Sequence, residues 1–514
     1  MHSSSSTTVS RANTPLKDQE ANLASLETPS CLLNAAVSRT YPPDLEDFCG
    51  LTSVALAYLT HERFQDQLLR SGYLELLMQC FEDSYGRFDV ARADPDEAAE
   101  LKHIWTAFVQ IFADISATPY FAALPLGSPP VHRLVAWLGS SMFSCPHLQT
   151  AACLSLGNLA RSDKASEALL KDVYGPISAL LTSMSPPASQ LLHAVLSFLK
   201  NLAIPSPNKQ ILGQLLLEPT NGSILSRLWS TEVQPQTQFA AISLTRLLAS
   251  GCPANVSRLC TPLSPDPSSP AHERTNLHLL ISTASRADAQ PTKLEAARTV
   301  AAVCKVFHTT ASAASQATTP PLQSWDPATT TTPSDGGSAA RERFYAAHSA
   351  EISKCLADLL SQRRFPALRS ESLFTMALMS RSRDGAGVVC RALHPTEVSG
   401  ALVEAVTGKN MVSSSSSDGQ GLGSEDPGSS SGGGGQLDVI AGLGLEPQQT
   451  SSLDPAQAAS MTRIDRENGL VLVAELLKQD ASVLPQFRRS VLEEMLKTGG
   501  EMVISERQEG SSVK

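Results

Sequence analysis

Leucine and alanine recur at three- and four-residue spacing along most of the chain, interrupted by tracts of serine, threonine, proline and glycine. Residues 188–204, ASQLLHAVLSFLKNLAI, show the pattern most clearly. Leu191/Leu192, Val195/Leu196, Phe198/Leu199 and Leu202/Ala203 return at the helical period and make one wide apolar face. Pro205 ends that helix, because proline has no N–H to give and crowds the preceding turn. The same L-x-N-L-A ending stands 43 residues earlier in 147–160, HLQTAACLSLGNLA. In 237–249, TQFAAISLTRLLA, Arg246 takes the slot 45 residues after Asn201.

Shorter elements separate these helices. In 165–184 the spacing predicts a short helix, a break at Gly175 and an amphipathic helix from Ile177; residues 66–81 repeat the arrangement with Gly72 at the break. Weaker copies lie at 101–117, 292–308, 350–381 and 465–498. A period of 43–45 residues is that of armadillo and HEAT repeats. The expected fold is all-α, a right-handed α-solenoid of armadillo-type repeats, about eight of them, with disordered insertions.

Composition places the insertions. The chain is expected to have a disordered N-terminus (1–30), repeats over 31–252, a disordered insertion at 253–272 and a repeat at 273–308. A second insertion follows at 309–340, then repeats over 341–407 and a Ser/Gly-rich insertion at 408–462. C-terminal armadillo-like helices (463–504) and a disordered tail (505–514) complete the expected order. Aromatics make up only 5 % of the chain, which disfavours an alternating β-sandwich or barrel.

In a solenoid the last helix of each unit lines the groove. Opposite the apolar stripe of 188–204 stand Gln190, Ala194, Ser197 and Asn201, spaced four, three and four. The matching positions are His147, Ala151, Leu154 and Asn158 in the preceding unit, and Pro235, Phe239, Ile242 and Arg246 in the following one. The pattern predicts a ladder of Asn158, Asn201 and Arg246 with small residues between the rungs. Amides can donate to and accept from a partner's backbone, and arginine forks onto carboxylates or carbonyls. The competing reading is that each asparagine bonds the neighbouring repeat and holds the superhelix.

Charge and chemistry narrow the classes further. Fifty acids against forty bases give a net charge of −10, with no Lys/Arg stripe of the kind nucleic acid requires. The densest acidic run is 82–100, with Glu82, Asp83, Asp89, Asp94, Asp96, Glu97 and Glu100 against two arginines. It is the candidate dock for a basic partner segment, against the plain alternative of a solvated loop. The ten cysteines are scattered without a Cys-x-x-Cys pair and read as small buried hydrophobes of a reducing compartment. No P-loop, Gly-x-Ser-x-Gly, His-Glu-x-x-His or post-strand GxGxxG occurs, so neither side-chain catalysis, a metal nor a cofactor is expected. The start, MHSSSSTTVSRANT, lacks an apolar signal core and no eighteen-residue apolar run follows, so the expected location is the cytosol.

At this point SLGNLARSDKASEALL, HAVLSFLKNLAIPSPNK and FAAISLTRLL resemble the armadillo core of the small-GTPase GDP-dissociation stimulators, the SmgGDS family. That family's G-N-L-A-R-[ND]-D, L-R-N-L-A-I-P-x-x-N-K and G-T-L-R-x-L segments correspond to Gly157–Asp163, Leu199–Lys209 and Ser243–Leu247. The likeness is specific over about 147–216 and fades toward both ends, and the large Ser/Thr/Pro/Gly insertions depart from it. The resemblance implies a monomeric, non-enzymatic guanine-nucleotide exchange factor and chaperone for Rho-, Rac-, Ras- and Rap-type GTPases with polybasic, prenylated tails. It implies no nucleic acid and no membrane insertion, with any endomembrane or mitochondrial association made through partners. Asn158, Asn201 and Arg246, with Asn208 at the adjoining turn and Ala194, Ser197 and Phe239 between, would hold the switch region. A nuclear-import adaptor is disfavoured, since Leu154 and Ser197 stand where its groove tryptophans belong. An armadillo scaffold for another protein, without exchange activity, remains the alternative.

Overall fold

The computed structural model describes residues 25–139, 145–183, 189–218, 223–229, 234–313, 336–408 and 455–512. Among them the chain is helical throughout apart from loops and one isolated antiparallel bridge, Pro262 to Thr275. It divides into two compact units, 1–208 and 209–514.

In the first unit the order is α1 (Thr28–Ala36), α2 (Leu45–Leu59), α3 (Glu62–Arg70), α4 (Leu74–Arg87), α5 (Pro95–Ala117), α6 (Pro119–Ala122), α7 (Pro129–Leu138), α8 (Pro146–Leu159), α9 (Asp163–Ser183) and α10 (Ser189–Leu202). The next helix, α11 (Ser206–Leu217), begins at the boundary. The second unit continues with α12 (Ile224–Leu228), α13 (Pro235–Ala249), α14 (Pro253–Cys260), α15 (Asn276–Arg286), α16 (Gln290–Ala313) and α17 (Gly336–Leu360). It ends with α18 (Pro366–Met379), α19 (Arg383–Ala392), α20 (Thr396–Thr407), α21 (Pro455–Leu477) and α22 (Gln486–Ser512).

The usual module is a short helix, a second helix and a longer third, but before α10 and α18 one continuous helix, α9 of 21 residues or α17 of 25, takes the place of the first two. Third helices are α2, α5, α8 and α10 in the first unit and α13, α16, α18 and α21 in the second, and within each unit consecutive ones pack side by side. The expected all-α fold of about eight armadillo-type repeats therefore holds. Proline opens α5, α8, α13 and α18, where its missing N–H would have lacked a helical partner anyway. Asp94 and Glu97 close a reciprocal capping box on α5.

One joint recurs between a third helix and the next short helix. A polar side chain near the start of the short helix donates back to a carbonyl at the end of the third: Gln65 to Leu59, Ser166 to Ala160, Asn208 to Leu202 and Asn255 to Leu248, at 2.8, 3.2, 2.9 and 2.9 Å. These bonds satisfy carbonyls that helix ends leave without partners. The predicted turn at Gly72 is also present. Gly72 adopts φ +75°, its N–H donates to Leu69 O and the Tyr73 N–H to Leu68 O, which is a Schellman closure.

Several expectations need correction. No break occurs at Gly175: α9 runs through Pro176, because the residue before that proline has no Cβ to clash with the ring. Residues 253–272, expected to be a disordered insertion, begin with α14, whose Val256, Leu259 and Cys260 are buried at helical spacing. The bridge and the Thr275–His278 capping box then close the following loop. The edges of the other insertions are helical too: 28–30 in α1, 309–313 in α16, 336–340 in α17, 455–462 in α21 and 505–512 in α22. The remainder of those expected insertions (1–24, 314–335, 409–454 and 513–514) lies outside the described residues.

The scarce aromatics concentrate in the first unit's core. Phe81 stacks on Phe108 at 4.5 Å, and Trp137 meets Phe81 and Phe112 edge-on at 5.8 and 5.5 Å. All ten cysteines are free thiols and eight are buried. No described helix is long and apolar enough to cross a membrane.

Candidate partner-binding surface

The predicted ladder divides between the two units. In the first, Asn158 on α8 donates its amide to Ser116 Oγ of α5 at 2.9 Å, and its Oδ1 accepts from Arg161. Asn201 on α10 donates to Gly157 O of α8, also at 2.9 Å. Both amides therefore brace a third helix against its predecessor, 42 and 44 residues back in sequence. Asn208 is buried and committed to the joint with Leu202. Ala194 is buried and Ser197 half-buried.

In the second unit Arg246 donates through Nε to Glu295 of α16 at 2.7 Å, and Phe239, expected on the groove, is 4 % exposed. Phe239 belongs to a run on α13, Thr237 to Thr245, that is buried without interruption where α16 packs against it.

Arg246 belongs to a charged seam that sequence reading missed. Glu295, fully buried, accepts from Arg246 and from Arg298 at 3.0 Å. Arg298 and Lys305 both reach Glu371 on α18, at 3.0 and 2.8 Å. Burial alone would raise the Glu371 carboxyl, yet Lys305 and Arg298 hold it below the ordinary range. One helix further, Arg369 donates to the fully buried Asp465 of α21 at 2.7 Å, and Ser370 donates to the same carboxylate. Partners 49, 66, 73 and 96 residues apart leave no local pattern; the signal was a buried-period acid in each of α16 and α21.

The acidic run 82–100 is not a single patch. Glu82 is saturated: Arg133 forks onto it at 2.7 and 2.6 Å and Trp137 Nε1 donates at 2.6 Å. Asp83 lies 3.7 Å from Arg39, and Asp89 caps its own turn and pairs with Arg92. Asp94 and Glu97 serve the α5 cap. Asp96 and Glu100 remain exposed and join Glu46 and Asp47, which are exposed at the start of α2. The two helix starts are close enough to share a field. Cys49 of α2 has its thiol pushed up to about 12, first by burial and then by Glu100 and Glu97 of α5.

Nearby, α4, α5 and α8 enclose a cleft of about 710 Å³. Tyr85 stacks on Trp105 at 4.0 Å, and its hydroxyl lies 2.8 Å from His147 Nδ1. Burial pushes the Tyr85 phenol up and the His147 imidazole down, so both are neutral near pH 7. Lys102 and Asp89 also line the cleft. An aromatic, neutral wall of this kind can receive an apolar side chain or the stem of a long one. Among the described residues no group of three or more His, Cys, Asp or Glu is arranged to hold a metal ion.

Neither a family model nor a curated protein sequence matches the chain. Solved structures resemble it at low identity. The SYS-1/POP-1 complex aligns over 91 % of this chain and 69 % of that one, at 13 % identity and a TM-score of 0.48. A designed armadillo repeat protein in complex with the peptide (KR)4 aligns over 54 % of this chain and 99 % of its own, at 14 % identity and a TM-score of 0.34. An engineered protein aligns over 54 % and 97 %, at 16 % and 0.38.

Proposed function

We propose that the chain is a helical-repeat scaffold for a protein partner, and that the partner is a Rho-, Rac-, Ras- or Rap-type small GTPase with a basic, prenylated tail. The observation that carries this reading is the acidic edge formed by Glu46, Asp47, Asp96 and Glu100, exposed at the starts of two adjacent third helices. Exposed carboxylates with no ion-pair partner among the described residues attract a lysine-rich tail and raise its encounter rate. The residues that resemble the GDP-dissociation stimulators, Gly157–Asp163 and Leu199–Lys209, supply the specific partner class. Stimulated GDP release needs no nucleophile. It requires only that the scaffold bind the nucleotide-poor GTPase more tightly than the GDP-bound one.

A second reading, a scaffold without exchange activity, is favoured by the bonding of Asn158, Asn201 and Arg246 within the fold. One experiment separates the two. Purified protein is mixed with Rho- and Rap-type GTPases carrying fluorescent GDP, with and without their basic tails, while binding and release are both recorded. Tail-dependent binding with faster release supports the exchange factor, and binding without release supports the plain scaffold. Failure to bind any member of the panel overturns the GTPase assignment.

A further inference from the structure

On α18 every residue from Pro366 to Met379 is buried or half-buried except Phe374, which is 46 % exposed. A helix this enclosed has one narrow outlet to solvent, and a phenylalanine fills it. The neighbouring third helix, α21, exposes Ile464 and Val471 at 43 and 44 %. Pairings of Arg369 and Ser370 with Asp465, and of Arg381 with Glu475, set the two helices parallel and offset by about 95 positions. Phe374 thus stands level with the stretch between Ile464 and Val471. Three large apolar side chains are exposed at one level of two neighbouring helices, the arrangement an apolar strip requires.

The rim of the strip selects its occupant. Arg363, Arg381, Arg463 and Lys478 each pair with an acid, at 3.8, 3.9, 3.1 and 3.0 Å, yet stand 65, 58, 63 and 66 % exposed while those acids are sunk further: Glu404 at 30 %, Glu475 at 17 % and Glu467 at 48 %. Asp480, just past α21, turns back to accept from the Ser482 N–H. The balance extends over the unit, whose described residues carry 25 Lys and Arg against 21 Asp and Glu. Exposed cations around an apolar strip complement an acidic amphipathic segment. The geometry points to docking of such a segment from a partner protein: a helix with Asp and Glu flanking Leu or Phe at i, i+3/i+4 spacing. This surface is separate in residues and opposite in charge from the edge assigned to a basic tail.

The test uses the full chain and fluorescent synthetic helices of about sixteen residues. One places Leu and Phe at helical spacing among Asp and Glu, a second keeps the same apolar residues among Lys and Arg, and a third keeps the acids but replaces the apolar residues by Ser. The first peptide binds, more weakly as salt rises, and loses about tenfold in affinity with Phe374→Ala and again with Arg381→Glu. Phe374 is exposed and Arg381 pairs with Glu475 only at 3.9 Å, so circular dichroism and melting, recorded for both variants, verify that the fold is kept. Equal binding of the basic peptide, indifference to Phe374→Ala, or no binding up to about 1 mM overturns the proposal. Self-association of the chain that Phe374→Ala abolishes also overturns it and assigns the strip to a second copy. None of these outcomes bears on nucleotide release, so the two readings fail independently.

Discussion

At the residue scale the two units brace their third helices by different chemistry, and the difference sets how much a single side chain matters. Asn201 donates one neutral bond to the Gly157 carbonyl. Asn201→Ala therefore removes about 1 kcal/mol, read as a small shift in denaturant midpoint with unchanged slope. Glu295 is fully buried and answers two guanidiniums, Arg246 and Arg298. Glu295→Ala takes the carboxylate from Arg246 and leaves Arg298 with Glu371 alone, and is expected to cost about 3 kcal/mol. If the two variants lose equal stability in the same assay, the seam is not the stronger brace. Buried histidines add a pH dependence. Burial, ahead of any neighbouring charge, pushes His308 and His348 down to about 4. Their folded-state values lie below the unfolded value near 6.5, so the unfolded chain takes up protons first as pH falls. Stability is full above about pH 6.5 and declines toward pH 4, by at most about 3 kcal/mol per histidine. In urea titrations across that window, His348→Gln flattens the decline; an unaltered slope assigns it to other groups.

At the element scale, legibility followed the range of the interactions. The turn at Gly72 was readable because its cause is local: one residue must adopt positive φ, and glycine does so without strain. The break expected at Gly175 used the same rule and failed, since the following proline gives that glycine another role inside α9. Helix α14 was hidden by the Pro- and Ser-rich composition of 253–272, although its three buried residues keep the helical period. The asparagine ladder was legible as a repeat, but not the direction in which each amide points, because that depends on the helix packed alongside. The seam of Glu295, Glu371 and Asp465 showed in the sequence only as an acid at the buried period of α16 and α21, because apart from Arg298, three residues from Glu295, each carboxylate is reached from another helix. Helix α19 shows how identical residues in one element diverge through such contacts. A Cβ on Gly385 would sit 2.3 Å from Met379 O, whereas one on Gly387 would meet nothing within 4 Å. Gly385→Ala is expected to destabilise by about 1–3 kcal/mol and Gly387→Ala to stabilise by about 0.4–1 kcal/mol. Opposite shifts in melting temperature confirm the packing; shifts of one sign contradict it.

At the scale of the whole molecule, the net charge of −10 conceals an uneven distribution. Described residues of the first unit carry 18 Asp and Glu against 11 Lys and Arg, while the second unit has the opposite balance. A mean charge therefore misstates what either unit offers a partner, and an acidic chain need not repel acidic ligands everywhere. The consequence can be measured without knowing the physiological partner. Glu46, Asp47, Asp96 and Glu100 are exposed, and the Asp44 and Asp94 caps draw on them only through the backbone N–H groups of Asp47 and Asp96, so Gln and Asn replacements at these four positions leave the helix starts intact. Their combined neutralisation is expected to weaken binding of a polylysine-type peptide at least tenfold at low ionic strength, and to leave little difference above roughly 0.5 M salt. The acidic amphipathic peptide, held by the second unit, should keep its affinity in the same variant. A parallel loss for both peptides would mean that the chain responds to total charge alone. Loss of the basic peptide alone would show that the four carboxylates act as a local attractor, which is what capture of a basic tail requires.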